Sequence, residues 1–97
     1  MKNKLWRLIE YYLDKKIDEV VFCSNFFLLY VHEIDYNDFD DQEQNILSEL
    51  SEVAGRFSEF ESDHQKYPGV YYTKAELAEK ILETKIALMK IHPEYFP

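Results

Sequence analysis

The sequence is poor in cysteine, glycine and proline, and each shortage excludes a class of protein. Cys23 is the single cysteine among 97 residues, so an internal disulfide is impossible. Disulfide-stapled secreted domains are therefore excluded. Two glycines and three prolines are few for a fold that depends on many tight turns.

Long apolar runs are also missing. The longest apolar-rich run, residues 20–31, contains Ser24 and Asn25 and is too short to span a bilayer. The first sixteen residues, MKNKLWRLIEYYLDKK, carry charges inside their apolar pattern and lack the small-residue cleavage site of a signal peptide. We therefore expect a cytoplasmic protein.

Basic residues are almost absent from the middle third of the chain. The net charge is −8, and residues 33–63 hold eleven acidic groups against Arg56 alone, whereas the flanking thirds are nearly neutral. The stretch HEIDYNDFDDQE, residues 32–43, carries six carboxylates and no Lys or Arg. Binding to nucleic acid or to an anionic membrane is disfavoured, because phosphate contacts need clustered Lys and Arg. A basic protein is the partner that this charge pattern suits.

What the chain does contain is enough apolar residues for one packed core. The hydrophobic fraction is 46% and the aromatic fraction is 16%, which is typical of a globular domain. Residues 1–97 are therefore expected to form a single domain.

Apolar residues recur at helical spacing in three segments. The first stripe consists of Leu5, Leu8, Ile9, Tyr12 and Leu13; the second of Ile46, Leu47, Leu50, Val53, Ala54 and Phe57; the third of Leu77, Ile81, Leu82, Leu88 and Met89. Residues 20–31 are apolar on nearly every side, which is typical of a helix in the middle of a bundle. The same run could also form two buried strands, VVFC and FFLLYV, but no turn residue separates them. The prediction is all-α, as an antiparallel four-helix bundle.

Several residues predict where the helices begin and end. Asp40 or Asp41 is expected to cap the third helix. Gly55 lies inside its apolar pattern and is expected to permit close helix packing. Pro68 and Gly69 suit the centre of a type II turn.

The last helix has a start signal and a stop signal. Thr73 and Glu76 form a T-x-x-E capping box, and Pro93 is expected to stop the helix. The tail EYFP is expected to be loosely held.

Motifs that carry catalytic or metal chemistry are not found. Residues 38–49 partly imitate a calcium loop, but Glu43 stands where a sharp turn requires Gly. His32, His64 and His92 share no ligand spacing, and no phosphate loop, dinucleotide fingerprint or nucleophile motif occurs. We therefore expect no enzymatic activity, no cofactor and no metal.

Tyrosines and acids cluster around the Pro-Gly turn. They are Tyr67, Tyr71 and Tyr72, with Glu59, Glu61 and Asp63 just before them. The rings could cover one end of the core, or they could form an interface in which each supplies rigid contact area and a hydroxyl. Both interpretations remain open at this stage.

The chain resembles the colicin D immunity protein family. Three stretches carry the resemblance: YYLDKKIDEVVFCSNFFLLY, ELSEVAGRFSEFESD and YYTKAELAEKI. The similarity covers about residues 5 to 90. The resemblance implies a small four-helix bundle that binds one-to-one to a toxic tRNase, in colicins or in contact-dependent growth inhibition systems. In that family, acidic surface residues fill the basic tRNA-binding cleft of the toxin.

The resemblance also implies a binding surface on this chain. The acids that follow "RF" here are Glu59, Glu61 and Asp63, and we expect them, with the neighbouring tyrosines, to contact the toxin. The carboxylates of Asp35, Asp38, Asp40 and Asp41 are expected to contribute to the attracting field, although a solvated linker and helix start would also explain them. The alternative function is an acidic helical adaptor or nucleic-acid mimic that regulates another basic protein.

Overall fold

The computed structural model describes residues 2–96. It is all-α, with no β-strand among the described residues, so the all-α part of the prediction is confirmed. The helices are α1 (Lys2–Leu13), α2 (Glu19–Phe27), α3 (Asp41–Gly55), α4 (Glu61–Lys66) and α5 (Lys74–Ile91). A π-helical segment, Leu28–Glu33, continues α2, and short 3-10 helices occur at Tyr36–Asp38 and Pro93–Tyr95. None of the helices within residues 2–96 combines the length and the apolar content needed to cross a membrane.

The core lies where α1, α2, α3 and α5 meet. α3 packs along α5, while α1 lies against both α2 and α5. The apolar side chains with no exposed surface are Leu5, Ile9, Phe22, Leu47, Leu50, Leu77, Ile81 and Leu88. The predicted apolar stripes therefore supply most of the core, but Leu82 and Met89 were expected to be buried and are instead 48% and 39% exposed.

The predicted start signals of α3 and α5 are confirmed. The Asp40 carboxylate accepts a hydrogen bond from the Glu43 backbone N–H at 2.8 Å, and Glu43 Oε1 accepts one from the Asp40 N–H at 3.0 Å. Thr73 and Glu76 form the same reciprocal pair. Each pair satisfies two N–H groups that would otherwise lack partners at the first turn of a helix.

The turn before α5 also agrees with the sequence. The Val70 N–H donates to the Tyr67 carbonyl at 3.2 Å, and Gly69 has a φ of +82°. This is the positive φ that a type II turn requires at its third residue.

The central position predicted for the second helix is wrong. Only Phe22 and Phe26 of α2 are buried, and they stack on each other with ring centroids 5.7 Å apart. The opposite side of α2 and its π-helical continuation face solvent, so this helix lies at the edge of the fold. The alternative of two buried strands is wrong as well, because the run is helical throughout.

Two predictions about helix packing and the chain end are also wrong. Gly55 is the last residue of α3, and a Cβ placed on it would meet no atom within 4 Å, so it does not mediate close packing. Residues 94–96 of the tail are held rather than loose, since Phe96 is 7% exposed and the Tyr95 ring stacks on Trp6 with centroids 4.6 Å apart; Pro97 lies outside the described residues. The structure also adds α4, for which the sequence analysis offered no helix.

Candidate partner-binding surface

The first acidic group lies between α2 and α3 and is called the linker acids: Glu33, Asp35, Asp38, Asp40 and Asp41. Two of the five have local structural roles. Asp35 accepts a hydrogen bond from the Asn37 N–H at 2.9 Å and so caps the short 3-10 helix, and Asp40 caps α3. All five are exposed. Helix capping and an outward-facing negative charge therefore coexist in this stretch.

Glu43, the sixth carboxylate of this stretch, is not available to a partner. It is 1% exposed, and its carboxylate accepts hydrogen bonds from the Tyr95 hydroxyl at 2.6 Å and from Lys2 Nζ at 3.3 Å. Lys2 supplies the opposite charge that a buried carboxylate needs. Burial lowers the pKa of Lys2, but the hydrogen bond to Tyr95 and the charge of Glu43 outweigh burial and raise it.

His92 extends this cluster to the surface. Its Nε2 lies 3.0 Å from the Asp40 carboxylate, and its Nδ1 lies 3.1 Å from Glu94. The Asp40 hydrogen bond raises the pKa of His92, and the carboxylates of Glu94 and Glu43 add to the effect. The backbone N–H of Glu43, followed by His92, lowers the pKa of Asp40.

One atom from each of Asp40, Glu43 and His92 lies within 4.8 Å of the other two, which is a spacing that could hold a metal ion. All three donors are already engaged, however. Asp40 caps α3, and Glu43 accepts from the Lys2 ammonium, which already provides a cation beside it. The arrangement therefore fits an ion-pair network that ties the chain ends to α3 better than it fits a metal centre.

The second acidic group lies at the other end of α3 and is called the loop acids: Glu59, Glu61 and Asp63. Glu59 and Glu61 are exposed, and Phe60 between them is 61% exposed. Asp63 is half-buried, and its carboxylate accepts a hydrogen bond from Ser58 Oγ at 2.5 Å. Glu59 and Glu61 can thus meet a partner freely, whereas Asp63 mainly shapes the loop.

The hydrogen bonds among Ser58, Asp63 and His64 differ from those that activate a serine nucleophile. His64 Nε2 lies 2.9 Å from the backbone carbonyl of Ser58, while Ser58 Oγ donates to the Asp63 carboxylate. A catalytic base would instead have to contact the hydroxyl.

The three tyrosines divide between the two interpretations proposed for them. Tyr72 packs against the core, and its backbone pairs with Arg56 and Ser58, so it closes one end of the fold. Tyr67 is 46% exposed. Tyr71 is half-buried, and its ring lies 6.3 Å from that of Tyr67. Tyr67 and the outer edge of Tyr71 are therefore the parts that a partner can contact.

The linker acids and the loop acids are separated by the length of α3. This helix has 15 residues, so about 20 Å lies between the two groups. Glu49 and Glu52 are exposed along the helix between them, but they pair with Lys80 and Arg56. The unpaired negative charge therefore forms two groups, one at each end of α3, rather than one compact patch.

Most of this charge has no local cation to neutralise it. Among the eleven carboxylates of residues 33–63, three pair with Lys or Arg and Asp40 pairs with His92. The other seven have no cationic partner at ion-pair distance within residues 2–96: Glu33, Asp35, Asp38, Asp41, Glu59, Glu61 and Asp63. An outward field of this sign attracts basic proteins and repels polynucleotides.

The tertiary structure also exposes the outer side of α2, which the sequence analysis assigned to the core. The outer side of α2 exposes Val20, Val21, Phe27, Leu28 and Val31, each between 40% and 55%. The absence of charge over residues 20–31 was visible in the sequence, but it was interpreted as a sign of complete burial.

Comparison with models of protein families, with curated proteins and with solved structures finds no match to this chain.

Proposed function

We propose that this chain is an immunity protein of the colicin D immunity protein type, which binds and neutralises a bacterial tRNase toxin. In this proposal, its acidic surface covers the basic cleft through which the toxin binds tRNA. The chain acts in the cytoplasm as a one-to-one inhibitor, without contacting nucleic acid or membrane itself. The proposal includes the arrangement of α1, α2, α3 and α5 as the antiparallel four-helix bundle of that family.

The observation that carries the proposal is the set of seven carboxylates that lack a cationic partner. A nuclease must be basic along its substrate path, because it binds phosphates. Unpaired carboxylates at the two ends of α3 offer the same sign of charge as the RNA backbone. They also accelerate encounter with a basic partner, to about 10⁸–10⁹ M⁻¹s⁻¹ at low salt.

The loop acids are the proposed contact, and the linker acids contribute to the field. Glu59 and Glu61 flank the exposed ring of Phe60, and the exposed Tyr67 directly follows α4, which Glu61 begins. Apolar rings beside unpaired carboxylates combine short-range fit with charge attraction, which is how binding sites distinguish one basic partner from another.

The test starts from the gene beside the one for this chain, which on this proposal encodes a toxin with a basic nuclease domain, and uses that domain. Co-expression should keep cellular tRNA intact, and the association rate measured by stopped flow should fall steeply as salt is raised. The Glu59→Gln/Glu61→Gln variant should lose protection and bind at least about tenfold more weakly. Asp63 is left unchanged because its hydrogen bond to Ser58 shapes the loop.

A matched control separates local contact from net charge. Asp14→Asn/Glu79→Gln also removes two negative charges from exposed positions without an ion-pair partner within residues 2–96, on α5 and just after α1, and it should bind nearly as the wild type does. If the Glu59/Glu61 variant protected as well as this control, the proposed contact would be wrong. Recovery of a basic protein that is not a nuclease, with no effect on tRNA, would favour the adaptor function instead.

A further inference from the structure

Phe60 carries the most exposed large apolar side chain among the described residues, at 61%. Its ring is not one of the side chains that pack against the core. Single exposed apolar side chains are ordinary on protein surfaces, so exposure by itself assigns no role to this ring. The way its backbone is held and the charges beside it in the chain distinguish Phe60 from the other exposed apolar residues.

The backbone of Phe60 is fixed on both sides of the ring. Its N–H donates a hydrogen bond to Ser58 Oγ at 3.1 Å, and its carbonyl accepts one from the Asp63 N–H at 3.1 Å. Ser58 is itself anchored, since it is 8% exposed and its N–H donates to the Tyr72 carbonyl at 3.1 Å. The freedom that remains to the ring is mainly that of its own two side-chain torsions, so little conformational entropy is lost when a partner covers it.

The local structure around Phe60 does not depend on its ring. The hydrogen bonds that hold this segment are made by the backbone of Phe60 and by the side chains of Ser58 and Asp63. A smaller side chain at position 60 would leave each of these bonds in place. The free energy that burial of a phenyl ring supplies is therefore little used in folding, and it is available for binding.

The charges beside Phe60 indicate what kind of surface covers it. The adjoining Glu59 and Glu61 are exposed and belong to the seven carboxylates without a cationic partner, and no Lys or Arg occurs from position 57 to position 65. A wholly apolar partner surface would bury these carboxylates unpaired, which is costly. A second copy of this chain would bring its own carboxylates to the same place. The surface that fits therefore combines an apolar recess with cations at its rim.

We propose that Phe60 is the anchor by which this chain selects its partner: its ring enters an apolar recess in the basic cleft of the nuclease, and cations at the rim of that recess pair with Glu59 and Glu61. This inference rests on the proposed function and names the residue that sets its specificity. Charge attracts any basic protein to this surface, whereas a recess that fits a phenyl ring discriminates among basic proteins. Aromatic anchors in desolvated pockets, surrounded by a polar rim, carry much of the binding free energy of protein interfaces.

The experiment measures the association and dissociation rate constants of the full chain with the nuclease at several salt concentrations. Phe60→Ala should raise the dissociation rate constant at least about tenfold and change the association rate constant by less than about twofold, because the anchor acts after encounter. Glu59→Gln/Glu61→Gln should instead lower the association rate constant and weaken its salt dependence. The matched control is Phe27→Ala, which removes a 55% exposed phenyl ring from α2 and should change neither rate constant. Circular dichroism verifies that each variant is folded.

Two further substitutions at the same position test whether the ring enters a dry recess. Phe60→Tyr adds one hydroxyl at the tip of the ring, and that hydroxyl would lose its water without gaining a partner, so dissociation should accelerate at least about threefold. Phe60→Leu keeps an apolar side chain and should dissociate more slowly than Phe60→Ala. A Phe60→Tyr variant that dissociates as slowly as the wild type would place the ring on a wet surface and overturn the recess.

Protection of tRNA and the dissociation rates together separate the anchor role of Phe60 from the proposed function. If the wild type protects tRNA and Phe60→Ala dissociates no faster than it does, the proposed function stands and the anchor role is wrong. Faster dissociation of Phe27→Ala in place of Phe60→Ala would move the anchor to α2 and likewise overturn it. If the wild type does not bind the nuclease, the proposed function fails, and the anchor role fails with it.

Discussion

The Tyr95 hydroxyl donates a 2.6 Å hydrogen bond to the carboxylate of Glu43, 52 residues earlier in the chain. This bond fastens the C-terminal turn to the first turn of α3. The Lys2 ammonium, 3.2 Å from the Tyr95 oxygen and 3.3 Å from Glu43, brings the beginning of the chain into the same cluster. Both ends of the described chain are thus anchored on one buried carboxylate.

Tyr95→Phe should lower the free energy of unfolding by about 1–3 kcal/mol, because it removes a hydrogen bond from a buried carboxylate while keeping the ring that stacks on Trp6. Urea titration followed by circular dichroism measures the change. Tyr11→Phe, at a 44% exposed tyrosine, is the control and should change stability by under about 0.5 kcal/mol. Equal effects of the two variants would contradict the anchoring role of Tyr95.

Lys2→Met should destabilise the fold by about 1–3 kcal/mol, since Glu43 would stay buried without its cation. Adding Glu43→Gln removes the charge but keeps the capping geometry. The double variant should therefore lose less free energy of unfolding than the two single variants lose together, and the difference, the coupling free energy, should be about 1 kcal/mol. If the changes in the free energy of unfolding were additive, the two charges would not interact. Lys4→Met is the control for the loss of a positive charge on α1.

Stability should fall as pH rises through the titration of His92. Its pKa is raised above the ordinary value of 6.5 by the Asp40 hydrogen bond and by nearby carboxylates. The stabilisation from protonated His92 is therefore complete below 6.5 and is lost as pH passes through the higher folded-state pKa. His92→Gln should flatten the stability profile between about pH 6 and pH 8. If the free energy of unfolding of His92→Gln still fell with pH as in the wild type, His92 would be ruled out as the source of the pH dependence.

Lys15→Gly should raise the free energy of unfolding by about 0.5–1 kcal/mol, because Lys15, two residues after the end of α1, has a φ of 62°, which glycine adopts without steric cost. The Lys16 N–H donates to the Tyr11 carbonyl at 2.9 Å, which closes this helix end. Lys16→Gly is the matched control and should not stabilise, since its φ is not positive. Thermal unfolding measures the stability of both variants, and equal stabilities would contradict the special role of the positive φ at Lys15.

Replacing the two glycines by alanine should have opposite effects. Gly69→Ala should cost about 1 kcal/mol, because φ is +82° there and a Cβ would strain the turn. Gly55→Ala should be neutral or stabilising by up to about 1 kcal/mol, since its Cβ would meet nothing and alanine favours helix. A destabilising Gly55→Ala would restore the close-packing role that its place in the sequence suggested.

The parts of the fold that were predictable from sequence are those set by local physics. Helical periodicity identified α1, α3 and α5, because the buried side of a helix repeats every 3.6 residues wherever that helix lies. The caps at Asp40 and Thr73 were predictable for the same reason, since a side chain at the cap bonds a backbone N–H only two or three residues away. The shortage of Lys and Arg in residues 33–63 is likewise a property of composition alone.

The candidate surface was predictable only in part. The sequence placed the loop acids and linker acids in one acidic third, but their separation by the length of α3 depends on how straight that helix runs. It could not distinguish exposed Glu59 from buried Glu43, because both are glutamates in acidic surroundings. Burial of Glu43 required Lys2 and Tyr95, which are distant in sequence and offer no periodic signal.

The sequence by itself therefore determined the helical class, the helix starts and the excess of negative charge, since each arises from residues within a few positions of one another. Only the tertiary structure decided that α2 lies at the edge, that the C-terminal turn is held, and that one carboxylate in the acidic run is enclosed. Those outcomes depend on which apolar side finds a partner and on which distant cation reaches a carboxylate, and contacts between remote residues leave no spacing pattern in a single chain.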